Sequence, residues 1–136
     1  MITDQQLNNL NIIYTGIFVE KNVLMEKYPP VHPNVFYHHV TIEFKPKESS
    51  NVPFGEKTEL KIIGRLTTDK VDLLLVECPL SKNEYPRITL STAEGIKPFM
   101  SNSEVMNNIN KIEKLNDSVY GVYGFFDGSK VVTNIG

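Results

Sequence analysis

Alternation of apolar and polar residues is the dominant pattern along the chain. From Tyr37 to Lys45 (YHHVTIEFK), His38, Val40, Ile42 and Phe44 fall on one side, while His39, Thr41, Glu43 and Lys45 fall on the other. Side chains on a strand point alternately to its two faces, so this stretch reads as a strand with one core face and one polar face. Pro86 to Thr92 repeats the pattern, with Ile88 and Leu90 toward the core and Arg87, Thr89 and Ser91 away from it. Thr58 to Leu66 places Leu60, Ile62 and Gly64 together, and Val71 to Cys78 is apolar on both faces, as expected of a central strand. Ile12 to Glu20 has the β-branched and aromatic content of a first strand. Ser118 to Phe126 and Lys130 to Asn134 flank Asp127-Gly128, a dipeptide favoured in a type I′ hairpin turn.

Helical signals are fewer. Thr3-Asp-Gln-Gln6 has the form of a capping box ahead of Leu7 and Leu10, which predicts a short N-terminal helix. Lys21 to Tyr28 fits two helical turns with Val23 and Leu24 inward; Pro29, Pro30 and Pro33 end them and extend the chain toward Phe36. Ser101-Asn-Ser-Glu104 is a second capping box, and Val105, Met106, Ile109 and Ile112 recur at helical spacing, predicting a helix over 102–114 that stops at Asn116-Asp117. Pro46 to Lys57 and Pro79 to Tyr85 read as loops, and Thr67 to Lys70 as a turn. The sum is an α+β fold in a single domain covering 1–136: a mainly antiparallel sheet of about seven strands, with two or three short helices on one face.

Composition narrows the setting. A chain of 136 residues, 40% apolar and 22% charged, suits one globular domain with a filled core. Its longest apolar run, Leu73 to Val76, is far below the ~18 residues of a membrane span, and its start lacks the basic character of a signal peptide. No membrane partner is expected. The single cysteine, Cys78, reads as an inert buried thiol in a reducing compartment, so the expected location is cytoplasmic. A net charge of −2 argues against clamping a long nucleic acid, which needs a basic surplus, but leaves room for a small phosphorylated ligand. No glycine-rich phosphate loop, nucleophile elbow or dinucleotide fingerprint is present, and no cofactor is expected. His38 and His39 are adjacent, and so predicted to face opposite ways, which speaks against a metal site; His32 sits between prolines, as loop surface.

His39-Val-Thr41 and Arg87-Ile-Thr89 each put a basic or titratable side chain and a hydroxyl at i and i+2 on one strand face. With these residues the chain resembles the two-histidine phosphoesterase superfamily, the LigT-like and RNA-repair-associated cyclic phosphodiesterases, whose signature is a pair of His-x-Thr/Ser motifs on neighbouring strands. The order motif, strand, strand, motif is shared. Tyr14-Thr-Gly-Ile-Phe18 and the stretch from Gly95-Ile-Lys-Pro98 to Ser101-Asn102 resemble flanks of a compact RNA-repair-linked branch, so the likeness covers roughly 12–104. It implies His39, Thr41, Arg87 and Thr89 as catalytic residues, with Tyr14, Lys45 and Ser91 as substrate-binding residues. It also implies a nucleotide ligand, either an RNA end bearing a 2′,3′-cyclic phosphate or a cyclic or linear oligonucleotide, and an RNA-repair kinase or ligase as partner.

Arg87 departs from the family, whose second motif reads Pro-His-Ile-Thr. Histidine, with a pKa near ~6.5, exchanges protons at neutral pH, whereas arginine, above ~12, does not. Arginine instead grips phosphate and offsets its charge. Three expectations follow: a one-histidine phosphodiesterase with Arg87 as charge stabiliser, a catalytically degenerate module that binds or sequesters a nucleotide, or a non-catalytic protein-interaction domain whose polar strand faces are merely solvated.

Overall fold

A computed structural model describes residues 12–46 and 52–133. Eight strands and two short helices are present among them: β1 (Tyr14–Val19), α1 (Lys21–Lys27), β2 (Asn34–Val35), β3 (His39–Phe44), β4 (Lys57–Thr67), β5 (Val71–Val76), β6 (Arg87–Thr92), α2 (Ser101–Asn107), β7 (Glu113–Phe126) and β8 (Val131–Val132). Single 3₁₀ turns, Pro98–Met100 and Ile109–Lys111, flank α2. The N-terminal capping box, residues 47–51 of the loop after Pro46 and Asn134 lie outside the described residues.

All strand pairings are antiparallel, and the neighbours run β1-β3-β6-β5-β4-β7, with β7 returning to pair with β1. The sheet therefore closes into a six-stranded barrel, to which β8 adds on β7 and β2 on β6. The α+β class and the mainly antiparallel sheet are as expected, and closure into a barrel makes that arrangement more specific. The long β7, fourteen residues, makes it possible: residues 113–122 pair with β4 and residues 121–126 with β1. Asn116 and Asp117, expected to end a helix, are inside this strand. Gly121 lets β7 approach β1, because a Cβ there would meet Ile17 Cγ2 at 2.6 Å. Closing the sheet removes the unpaired edges that would otherwise recruit another strand.

Two apolar clusters lie on opposite sides of the wall. Ile17, Val40, Ile42, Leu60, Ile62, Leu74, Val76, Ile88, Leu90 and Val119 form the first, joined by Leu24 of α1. Val23, expected to point inward beside Leu24, is exposed. The second joins Leu66, Val71, Leu73 and Leu75 to Val105 of α2 and Ile112. Residues of β5 thus serve both clusters alternately, which accounts for its apolar character on both faces. A bulge between Ile62 and Gly64 switches β4 from one cluster to the other and turns Arg65 to pair with the fully buried Asp72. Each fully buried aliphatic side chain contributes about 1.5–3 kcal/mol, so Leu74→Ala would weaken the first cluster.

Helix α2 is shorter than its sequence period predicts. Asn108 has φ −131° and breaks the helix, so Met106 and Ile109, expected on the core face, are exposed. Nor does Ser101 cap the helix: the 3₁₀ turn runs directly into α2, and the Ser101 hydroxyl is engaged by Arg87 instead. In the β7–β8 connection only Gly128 has positive φ, and Asp127 Oδ1 accepts the backbone N–H groups of Ser129 and Lys130. That four-residue loop replaces the expected type I′ turn, which needs two left-handed residues. No described helix is long and apolar enough to cross a membrane.

Candidate functional site

The seam between β3 and β6 is narrow, with Val40 opposite Ile88 as its register pair. In antiparallel register this sets His39 beside Thr89 and Thr41 beside Arg87, all four on the side of the wall opposite the buried Val40 and Ile88. They line one cleft of about 780 Å³. The cleft is bounded by the β1–β3–β6 wall, by Val35 and Phe36 around β2, and by Pro98 to Asn102 at the start of α2.

β1 seats His39. Tyr14, Gly16 and Phe18 share the outward phase of that strand, and the His39 ring stacks on Tyr14 at 4.5 Å and tilts against Phe18 at 5.6 Å. Gly16 leaves the space between them; a Cβ there would lie 2.7 Å from the Val40 carbonyl and 3.6 Å from His39 Cδ2. His39 Nε2 is 3.0 Å from Thr41 Oγ1, and its Nδ1 is 2.9 Å from His38 Nδ1 and 3.4 Å from the Tyr14 hydroxyl. One of the two histidines must supply the hydrogen shared between their Nδ1 atoms. Burial, and secondarily the neighbouring His38, push His39 down to about 4, so the ring is neutral at pH 7. Burial pushes the Tyr14 hydroxyl up to about 12, keeping it a hydrogen-bond donor.

His38 was expected on the core face and is exposed instead, edge-on to Phe18 and touching His39. The cause is Tyr37, which takes φ +50° just before β3 and is itself fully buried, resetting the alternation so that two consecutive histidines both face outward. Burial first and the Lys21 charge second hold His38 below the usual histidine range.

Arg87 is anchored by neutral oxygens. Its Nε donates to Ser101 Oγ at 2.7 Å, and Nη1 to the Tyr85 carbonyl at 3.0 Å and Asn102 Oδ1 at 3.4 Å. Among the described residues no carboxylate pairs with it, and Nη2 has no protein partner. Burial without an opposing charge lowers its pKa, as desolvation disfavours the charged form. Among the described residues, the cleft's lining includes Lys21, Arg87 and two histidines but no Asp or Glu. Aromatic surface is abundant: Tyr14, Phe36, Phe44, Phe99 and Phe126 all contribute, with Phe44 62% and Phe99 74% exposed.

Of the residues predicted for the site, His39, Thr41, Arg87, Thr89 and Tyr14 line the cleft. Lys45 does not. It adopts φ +48° at the end of β3, and its Nζ lies over the adjacent Phe44 ring at 5.6 Å. Ser91 is fully buried: β6 bulges at Leu90, so Thr89 pairs with Leu73 but Ser91 with Asp72, and the strand phase changes before Ser91. His32, expected as loop surface, is half-buried and within 2.9 Å of the Thr68 carbonyl. Sequence reasoning missed Lys21, Phe44, Phe99, Ser101 and Asn102 as lining residues. The second capping box suggested a different role for Ser101, and the flank that resembles the RNA-repair-linked branch included Ser101 and Asn102 without giving them a role. Among the described residues, no three His, Cys, Asp or Glu side chains are grouped to hold a metal ion. A scan of protein-family models matches none to this chain, and a search of curated proteins returns no match, so the likeness to two-histidine phosphoesterases rests on the motifs and their arrangement.

Proposed function

We propose that the cleft outside β3 and β6 binds the phosphodiester of a nucleotide, such as a 2′,3′-cyclic phosphate RNA end, and turns it over slowly at best. The observation that carries this reading is Arg87: a largely buried guanidinium, held in place by neutral acceptors, in a cleft that no carboxylate among the described residues lines. Burying an uncompensated charge is costly, and an anion entering the cleft relieves that cost. Nη2 offers two N–H groups to a phosphate oxygen, and Thr41 and Thr89 line the same cleft. Aromatic rings around the charged centre suit a planar base.

Proton inventory argues against rapid hydrolysis. In-line displacement removes a proton on one side of phosphorus and delivers one on the other, and each transfer is worth roughly 10²–10⁴ in rate. His39 is neutral at pH 7 and serves as acceptor. Arg87 donates hydrogen bonds but keeps its protons. Titration calorimetry with 2′,3′-cyclic AMP tests the reading. Arg87→Ala should weaken binding by about 10-fold or more, the loss expected for a charge-assisted hydrogen bond, and Arg87→His should raise hydrolysis above that of the natural chain. Affinity that does not change with Arg87→Ala would refute the proposal.

A further inference from the structure

His38 has no part in the resemblance, yet it lines the cleft beside His39. Left-handed Tyr37 turns it outward, so one strand presents two consecutive imidazoles to the same side, their rings nearly perpendicular at 87° and their Nδ1 atoms 2.9 Å apart. At that separation one nitrogen donates and the other accepts. Which one donates decides whether His39 Nε2, 3.0 Å from Thr41 Oγ1, is a bare acceptor or carries a hydrogen.

Two arrangements of hydrogens satisfy the shared contact. If His38 donates, His39 carries its hydrogen on Nε2 and gives it to Thr41 Oγ1, and the half-buried Thr41 hydroxyl then has no acceptor among the described residues. If His39 donates, Nε2 is bare and accepts from the Thr41 hydroxyl, and the hydrogen without a protein acceptor is on Nε2 of the exposed His38. Water satisfies an exposed donor, whereas an unpaired half-buried one costs free energy, so the second arrangement is preferred. Tyr14 does not compete for Nδ1. Its ring is stacked on that of His39 with 25° between the planes, so its hydroxyl, 3.4 Å from Nδ1, approaches the face of the imidazole and not the plane of its lone pairs.

From this we infer that His38 is a positioning residue for His39: it accepts the His39 Nδ1–H, keeps Nε2 bare toward Thr41, and takes the Nδ1 proton when Nε2 receives one. The inference rests on the proposed function for the source of that proton. As the attacking water oxygen bonds to phosphorus, its O–H bond breaks and the proton joins His39 Nε2; the Nδ1 proton of His39 passes to His38 Nδ1, and the leaving oxygen takes a proton from solvent. His39 ends neutral with its hydrogen on Nε2, and the positive charge is on His38, which sheds its Nε2 proton to water. Charge costs less there because His38 is exposed and His39 is not. The groups facing the pair are Tyr14 of β1, Lys21 of α1 and Arg87 of β6; Lys21 opposes a charge on His38, no Asp or Glu among the described residues lines the cleft, and a bound phosphate supplies the offset.

Nuclear magnetic resonance of the full chain, isotope-labelled at the histidine ring nitrogens, tests it, because a nitrogen that carries hydrogen and a bare one resonate far apart. In the natural chain at pH 7, His39 should carry its hydrogen on Nδ1. On acidification His38 should take up a proton before His39, and the His39 hydrogen should move from Nδ1 to Nε2 in the same step. His38→Ala should shift His39 to the Nε2–H form at pH 7, whereas His38→Asn, whose Oδ1 replaces the acceptor, should keep the hydrogen on Nδ1. A neutral spacer at position 38 would rescue neither. An Nε2–H signal for His39 in the natural chain, a His39 tautomer indifferent to His38→Ala, or protonation of His39 before His38 would each overturn the role of His38. None of these readouts needs a ligand, so the two failures separate. If Arg87→Ala still weakens 2′,3′-cyclic AMP while His39 carries its hydrogen on Nε2, only the role of His38 falls; if Arg87→Ala leaves that affinity unchanged, the proposed function falls whatever the tautomer.

Discussion

The chain contains two arginines, and their surroundings are opposites. Arg65 on β4 donates from Nε and Nη2 to the two carboxylate oxygens of Asp72, at 3.0 and 2.8 Å, and lies 5.4 Å from the Tyr28 ring. Thr67 donates a further bond to the same carboxylate. The bond to Asp72 raises the pKa of Arg65, because the charged form is the one being stabilised. Among the described residues, Arg87 on β6 hydrogen-bonds only to a hydroxyl, a carbonyl and an amide oxygen, and burial lowers its pKa. A guanidinium neutralised within the protein holds strands together. One oriented by neutral groups, with no counterion among the described residues, is the feature on which the proposed anion binding rests.

The largest expected effect tests the structural half of that contrast. Asp72→Ala strands Arg65 without its partner and should cost about 3–5 kcal/mol of stability, whereas Arg87→Ala, which also removes a desolvated charge, should cost about 1 kcal/mol or less. Urea denaturation of the two variants decides it, and equal losses would erase the distinction. Next in size is an acid effect centred on His39. Its pKa is about 4 in the folded chain and ~6.5 when unfolded, so the unfolded state takes up the proton first as pH falls. The stability associated with this group is fully present above pH ~6.5 and is lost between ~6.5 and ~4, amounting to about 3 kcal/mol. His39→Asn should flatten stability across that interval, measured as melting temperature against pH.

Smaller effects sharpen the functional half. Loss of Arg87 should reduce affinity for a cyclic nucleotide by about 10- to 100-fold, with little change in melting temperature; a parallel loss of both would make Arg87 a structural residue like Arg65. Lys45→Ala should alter neither stability nor binding by more than about 0.5 kcal/mol, since its ammonium is solvated at the end of β3 and outside the cleft. A Lys45→Ala loss as large as that of Arg87→Ala, vanishing at high salt, would indicate diffuse attraction instead of a directed site.

Much of this arrangement is legible in the residue pattern. Period-two alternation correctly separates Val40, Ile42, Ile88 and Leu90 from His39, Thr41, Arg87 and Thr89, because a strand leaves each side chain only two directions. The same logic fails at Phe44, expected on the core face but exposed in the cleft because β3 has an extra residue, Ile42, opposite Thr15 and Gly16, and at three other positions, each for a local backbone reason. Left-handed Tyr37 turns His38 outward, the bulge at Leu90 buries Ser91, and left-handed Lys45 carries its own side chain off the wall. Nothing in the identities of Tyr37 or Lys45 announces positive φ, since neither is Gly, Asn or Asp.

Strand phase, the apolar character of β5 and the grouping of a histidine, an arginine and two threonines on matching faces were determined by the sequence alone, because they depend on contacts within a few residues. Barrel closure by β7 on β1, the shortening of α2, and the diversion of Ser101 from helix cap to Arg87 partner were decided only by tertiary structure. These depend on which distant segments meet: the hydroxyl that satisfies Arg87 is fourteen positions away in the chain, and no local propensity distinguishes an arginine that will find a carboxylate from one that will not.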